Sequence, residues 1–192
     1  MLLINKNNID NLNRKIVHAL SAIVICFFPY VFSVNQIVVI SCLFSLIFLL
    51  SKYFDFLPII KVKRVGLGEV FYPLGVMISA LVFLPQGEIL AFQFGILVLG
   101  ISDALANIFG DLYGFHKIDF YWSKKSLEGS FSFFISTFLI LIFINFFNLS
   151  FADFFTYFIL SLVLTFLEFL LFFGLDNLVL PLLSSYLFLV LL

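Results

Sequence analysis

Residues Glu88 to Asp111 read EILAFQFGILVLGISDALANIFGD, an apolar run bounded by Glu88 and Asp111 with one interior carboxylate, Asp103, set about two helical turns inside its C-terminal end. A bilayer core of about 30 Å takes roughly 20 predominantly apolar residues in a helix, and this run meets that length. The pattern recurs along the chain. Apolar stretches lie at about 16–34, 36–51, 67–85, 88–110, 130–147, 151–173 and 177–192, which predicts an all-α, polytopic membrane helix bundle of about seven transmembrane helices. Composition agrees, with 64% hydrophobic and 11% charged residues in 192, where a soluble domain carries about 25% charged residues. The last run is the shortest: from Pro181 to Leu192 it offers about 18 Å of helix, so a full crossing needs the segment from Leu178 or a thinned bilayer.

No internal repeat or Gly/Ser linker divides residues 1–192, so a single membrane-embedded domain is expected. Cys26 and Cys42 both sit in apolar runs without a CxxC or CxxH spacing, which argues against a disulfide or a zinc site. The polar segment Met1 to Lys15 precedes an apolar run with no small-residue cleavage pattern, so a retained first helix is expected. Thirty Phe residues run through every apolar segment without a period and describe no aromatic cage. A net charge of −1 gives no reason to expect a nucleic-acid partner.

With alternating sides, the N-terminus and the loops after the second, fourth and sixth runs share one face. Every basic residue falls there: Lys6, Arg14, Lys15, Lys52, Lys61, Lys63, Arg64, Lys117, Lys124 and Lys125. The opposite loops carry only Glu88 and Asp153 as charges. The basic face is expected to be cytoplasmic by the positive-inside rule, in a cell inner membrane or an ER-type membrane.

On a helix turning 100° per residue, Asp103, Asn107, Gly110, Asp111 and Gly114 form one polar, small-residue stripe. Two carboxylates and an amide on successive turns suit magnesium, which takes carboxylates, waters and substrate phosphates. The glycines leave room for a phosphate or a neighbouring helix, and taken alone they also fit a small-xxx-small packing face. An ionisable residue as deep as Asp103 is costly in a membrane and marks function by default. Lys124-Lys125-Ser126-Leu127-Glu128-Gly129-Ser130, taken alone, is a juxtamembrane anchor with Ser126 as an N-cap. Lying on the face of the acidic stripe, its lysines and Lys117 complete a composite of metal ligands and phosphate-binding cations.

Further along, Arg14 and His18 share a helix face, Glu69 opens the third run, and Tyr72 follows one turn later. Glu168 is buried in the sixth run, where it pairs with a loop lysine, orients a lipid hydroxyl, or serves as a structural partner. Asp176 and Asn177 are both good N-cap residues for the last helix.

The order Asp103-x-x-Ala106-x-x-x-Gly110-x-x-x-Gly114-x-x-Lys117, then Lys125-Ser126-x-Glu128-Gly129-Ser130, resembles the CTP-dependent lipid-alcohol kinases: dolichol kinase, phytol kinase and the yeast-type diacylglycerol kinase. Arg14-Lys15-x-x-His18 is similar to that family's opening motif, Gly68 to Gly75 to its glutamate-tyrosine-proline segment, and Asp176-Asn177 to Pro181 to its closing motif. Asp111 departs from the pattern, which often has a basic residue directly after the first glycine. The related phosphatidate cytidylyltransferases share the helix-and-loop pattern. Their serine-x-x-lysine-arginine, lysine-aspartate and histidine-glycine-glycine elements do not follow Gly129 here.

The resemblance implies phosphoryl transfer from CTP to the hydroxyl of a membrane lipid alcohol, whether polyprenol, phytol-like alcohol or diacylglycerol, with Mg2+ as cofactor. For that reaction Asp103 and Asp111, with Asn107 and Asp176, are assigned to magnesium from the acidic stripe and its neighbours. Lys117, Lys124 and Lys125 would meet phosphates, with Ser126, Gly129, Gly110, Gly114, Arg14, Lys15 and Asn177 completing the nucleotide site. Asp103, Glu128, His18 and Glu69 are its candidate catalytic residues, and which of them serves as base stays open. Cytidylyl transfer to phosphatidate is the alternative reaction. A small transporter using Asp103 and Glu168 as coupling carboxylates is the alternative outside enzymes.

Overall fold

The structure is a computed structural model that describes residues 6–54, 67–119, 124–148 and 153–192. Without water, backbone N–H and C=O groups must bond within their own segment, so apolar runs of this length become helices. Helix α1 spans Lys6–Cys26 and is followed by the single turn α2, Phe28–Val31. Helix α3 covers Val34–Phe54. Helix α4, Gly68–Phe83, continues into a 3-10 turn at Leu84–Gln86. Helix α5, Ile89–Leu97, a π turn at Val98–Ser102 and α6, Asp103–Tyr113, form one continuous rod. Then come α7, Leu127–Asn148, α8, Phe154–Leu170, and α9, Asp176–Leu191.

Five helical stretches are long and apolar enough to cross a membrane: Leu12–Val31, Val34–Phe54, Gly68–Gln86, Ile89–Tyr113 and Leu127–Phe146. Helices α8 and α9 are apolar but shorter, at 17 and 16 residues. The chain is therefore a helical membrane protein.

One expectation is corrected. The connection after α6 is not a plain loop: Lys117–Asp119 (β1) and Lys124–Ser126 (β2) pair antiparallel, with Ile118 opposite Lys125. The first helix begins at Lys6, ahead of its apolar run, and carries Arg14, Lys15 and His18 as expected. The last helix runs Asp176–Leu191, close to the expected 177–192, with Pro181 inside it. Lys61, Lys63 and Arg64 lie outside the described residues.

The α5–α6 rod sits at the centre. One apolar cluster joins it to α7, α8 and α9 through Phe94, Val98, Phe133, Leu160, Leu164 and Leu180. A second joins it to α1, α3 and α4 through Ala22, Ile37, Val76, Ala80, Phe92 and Ile96. Outward positions such as Leu43, Leu46, Phe143 and Phe166 are exposed large apolar side chains, as lipid contact requires.

Small residues set how closely the rods approach. Pro181 has no N–H, so the Asn177 carbonyl loses its partner within α9. That oxygen lies against Gly75 of α4, where an added Cβ would sit 2.3 Å from it. One turn later the Pro181 carbonyl accepts from Ser185 Oγ at 2.7 Å and faces Gly95 of α5. Gly100 in the π turn meets Ala22 of α1, whose Cβ would be 2.0 Å from an added one.

Antiparallel alternation then gathers at one end the starts of α1, α4, α7 and α9 and the ends of α6 and α8. Gly95→Val should lower stability by about 1–3 kcal/mol, because its Cβ meets α9 backbone that cannot yield. Thermal unfolding in detergent checks this against the lipid-facing Phe143→Ala, and an unchanged midpoint for Gly95→Val would contradict the packing.

Candidate functional site

Asp103 is fully buried. A buried carboxylate is tolerated only with a cation and hydrogen bonds to satisfy it. Lys15 Nζ donates to its Oδ2 at 2.9 Å. Asn107, one turn further along α6, donates through Nδ2 to Asp103 Oδ1 at 3.0 Å and to the Asp103 carbonyl at 2.7 Å. The approach of Ala22 to Gly100 brings Lys15 level with Asp103, because α1 and α6 run antiparallel from that contact. π turns are often found at functional sites, and this one ends at the residue before Asp103.

A second buried pair lies beside the first. Lys125 of β2 donates to Glu168 Oε1 and, at 3.0 Å, to the Glu168 carbonyl at the end of α8. Burial draws the Lys125 ammonium down, but the charges of Glu168 and Asp103 outweigh it and hold its pKa above the usual lysine value. Glu168 is 2% exposed, and its Oε2 has no partner among the described residues. Asp176 at the start of α9 lies within electrostatic reach of Asp103, Lys15 and Lys125.

The remaining motifs brace α1, α4 and α9. Arg14 Nη1 pairs with Glu69 Oε1. His18 packs its ring on Tyr72, centroids 3.9 Å apart, and Tyr72 Oη lies 2.9 Å from Ser21 Oγ. Nε2 of His18 is buried without a partner among the described residues. Asn177 does not cap α9. Its Nδ2 donates to the Gly68 carbonyl at 2.7 Å and ties α9 to the first residue of α4. This tie needs Gly174, whose φ of 85° belongs to the left-handed region and whose added Cβ would meet Gly68 Cα at 2.5 Å.

Between α6, the hairpin and α7 opens a cavity of about 140 Å³ lined by Asn107, Asp111, Lys117, Lys125, Ser130 and Glu168, with Gly110, Gly129 and Ser126 in its wall. The Asn107 amide spends its N–H on Asp103, which turns Oδ1 into the acceptor it offers elsewhere. The glycines serve close approach. An added Cβ on Gly129 would lie 2.6 Å from the Ala106 carbonyl, and one on Gly110 would lie 2.8 Å from Ser126 Oγ. Gly114 ends α6 in extended backbone beside Ser126. Ser126 Oγ accepts from the Gly129 N–H at 3.1 Å, the N-cap bond expected of it.

Glu128 stands apart from this cluster. Its carboxylate accepts from the His116 N–H at 3.1 Å and lies 2.7 Å from His116 Nδ1. It fastens the hairpin and is not brought to the cavity as a base. His116 went unrecognised in the sequence, since nothing local marks it before the hairpin brings it back. Lys124 contributes its backbone to the register opposite Asp119.

Among the described residues no three His, Cys, Asp or Glu side chains converge as a metal cage. Asp103 is held by Lys15 and Asn107 rather than presented to an ion. Magnesium usually keeps waters and phosphate oxygens and takes only one or two protein ligands. Asn107 and Asp111, both at the cavity wall, fit that smaller role.

Breaking a buried pair from one side costs about 3–5 kcal/mol, while apolar replacement of both members restores much of it. Lys15→Met and Asp103→Leu should each destabilise in that range, and the two together should cost much less than the sum. Chemical denaturation of the four proteins in detergent measures the coupling, and strictly additive losses would contradict it.

No family model and no solved structure matches this chain. An uncharacterized protein of Methanocaldococcus jannaschii is 33% identical over 141 residues, spanning 67% of this chain and 69% of its own. At that identity and coverage the chain belongs to the same family as this archaeal protein.

Proposed function

We propose that this protein transfers the γ-phosphoryl group of CTP to the hydroxyl of a membrane lipid alcohol, giving the lipid monophosphate and CDP. The observation that carries the reading is one small polar cavity lined by Lys117, Lys125, Asn107 and Asp111 together. Phosphoryl transfer asks a protein chiefly for positioning and charge neutralisation, and this set of residues supplies both. About 140 Å³ is the size of a benzene-binding cavity, well below the roughly 300 Å³ at which whole-ligand pockets begin. It suits one phosphoryl group with its waters, leaving the nucleoside outside.

Lys117, exposed on β1, and Lys125 neutralise phosphate oxygens, and Lys124 adds charge to the same hairpin. Asn107 and Asp111 would hold magnesium, which spreads the negative charge developing on the transferred group. Asp103 is a positioning residue: through its two hydrogen bonds with Asn107 it fixes the amide and leaves Oδ1 for the ion. Arg14, Glu69, His18, Tyr72 and Asn177 hold α1, α4 and α9 in place around this centre. The motif order from Arg14 to Pro181, similar to that of CTP-dependent lipid-alcohol kinases, supports CTP as donor. The basic residues of the sequence support a cytoplasmic placement of this end by the positive-inside rule, where CTP is available.

CTP labelled separately at its α and γ phosphates, incubated with the purified protein, magnesium and host lipid extract, tests the reading. Label from the γ position should enter lipid and stop entering when EDTA removes the metal. Label from the α position in lipid would establish cytidylyl transfer instead, and no label from either would remove the reading altogether.

A further inference from the structure

The geometry points to Glu168 and Ser130 as the seat of the acceptor's hydroxyl, a role that rests on the kinase reading and assigns its second substrate a place. Glu168 lies near the end of the apolar helix α8, where a lipid head group reaches from the membrane. Lys125 occupies Oε1 and the Glu168 carbonyl, which leaves Oε2 buried and unpartnered among the described residues. Ser130 Oγ, in the first turns of α7, is buried and unpartnered in the same way, and both residues line one cavity.

A carboxylate oxygen only accepts hydrogen bonds, whereas a serine hydroxyl both donates and accepts. A single alcohol group completes both at once: it donates to Glu168 Oε2 and accepts from Ser130 Oγ. Lys117, Asn107 and Asp111 line the same cavity, so a hydroxyl seated here shares it with the groups assigned to phosphate.

In the transfer the alcohol oxygen forms a bond to the γ-phosphorus of the nucleoside triphosphate. The bond from that phosphorus to the β-phosphate oxygen breaks, and CDP leaves with the electron pair. The alcohol proton passes to Glu168 Oε2 and then to water. Lys125 keeps the carboxylate oriented from its other oxygen throughout.

The test uses the full chain in phosphatidylcholine nanodiscs with geranylgeraniol and its methyl ether as probes. Wild type should bind the alcohol about tenfold or more tightly than the ether, because a site built for a hydroxyl rejects an analogue lacking it. Glu168→Gln and Ser130→Ala should each erase that preference while ether binding persists. Glu168→Gln should also lower kcat for transfer by about 100-fold, with Glu168→Asp recovering part of it. A preference absent in wild type, or intact in both variants, overturns the seat. Preference lost in the variants but no γ-label transfer by wild type would uphold the seat and overturn the kinase reading. Transfer by wild type with preference intact in both variants would do the reverse.

Discussion

A carboxylate with no exposed surface, on a rod long enough to cross a membrane, constrains everything around it. Asp103 is held by Lys15 from α1 and Asn107 from its own helix. An ion pair in such a place contributes little net stability, but losing either partner leaves a charge stranded. The pair therefore fixes the axial position of α1 against the central rod. The close contact of Ala22 with Gly100 is the packing that allows it.

From that fixed point the other charged motifs follow in space. Arg14 and His18, one residue before and three after Lys15, meet Glu69 and Tyr72 of α4. Asn177 ties α4 to α9, and Asp176 beside it enters the field of Asp103 and both buried lysines. Lys125 closes the ring by joining the hairpin to α8 through Glu168. Six chain segments far apart in sequence thus share one polar end of an otherwise apolar bundle. Such a cluster is costly in a low-dielectric setting, and intramembrane ionisable groups are usually retained for function.

Much of this was legible in the sequence because the membrane simplifies the code. Run length and the placement of lysines foretold the central rods and the end at which charges gather. Asp103 was visible as an ionisable residue in an apolar run. What was hidden depends on contacts without local signature. The π turn before Asp103 leaves no mark in a stretch that is helical throughout. The stripe of Asp103, Asn107 and Asp111 looked like three equivalent ligands, yet tertiary pairing with Lys15 separates Asp103 from the other two. Glu128 sat inside the lysine-loop motif, but the short hairpin brings His116 to it. Gly110 allowed two readings, and the 2.8 Å that would separate an added Cβ from Ser126 Oγ speaks for close approach of the neighbouring segment.

The central claim is that Lys117 and Lys125 jointly receive the phosphates of a nucleotide at this end of the bundle. Lysine acylation followed by mass spectrometry, on the intact chain in nanodiscs with and without magnesium and CTP, addresses it most directly. The composite site requires Lys117 and Lys125 to lose most of their reactivity with nucleotide present while Lys52, at the end of α3, keeps its own. Unchanged reactivity at both Lys117 and Lys125 under saturating nucleotide would contradict it.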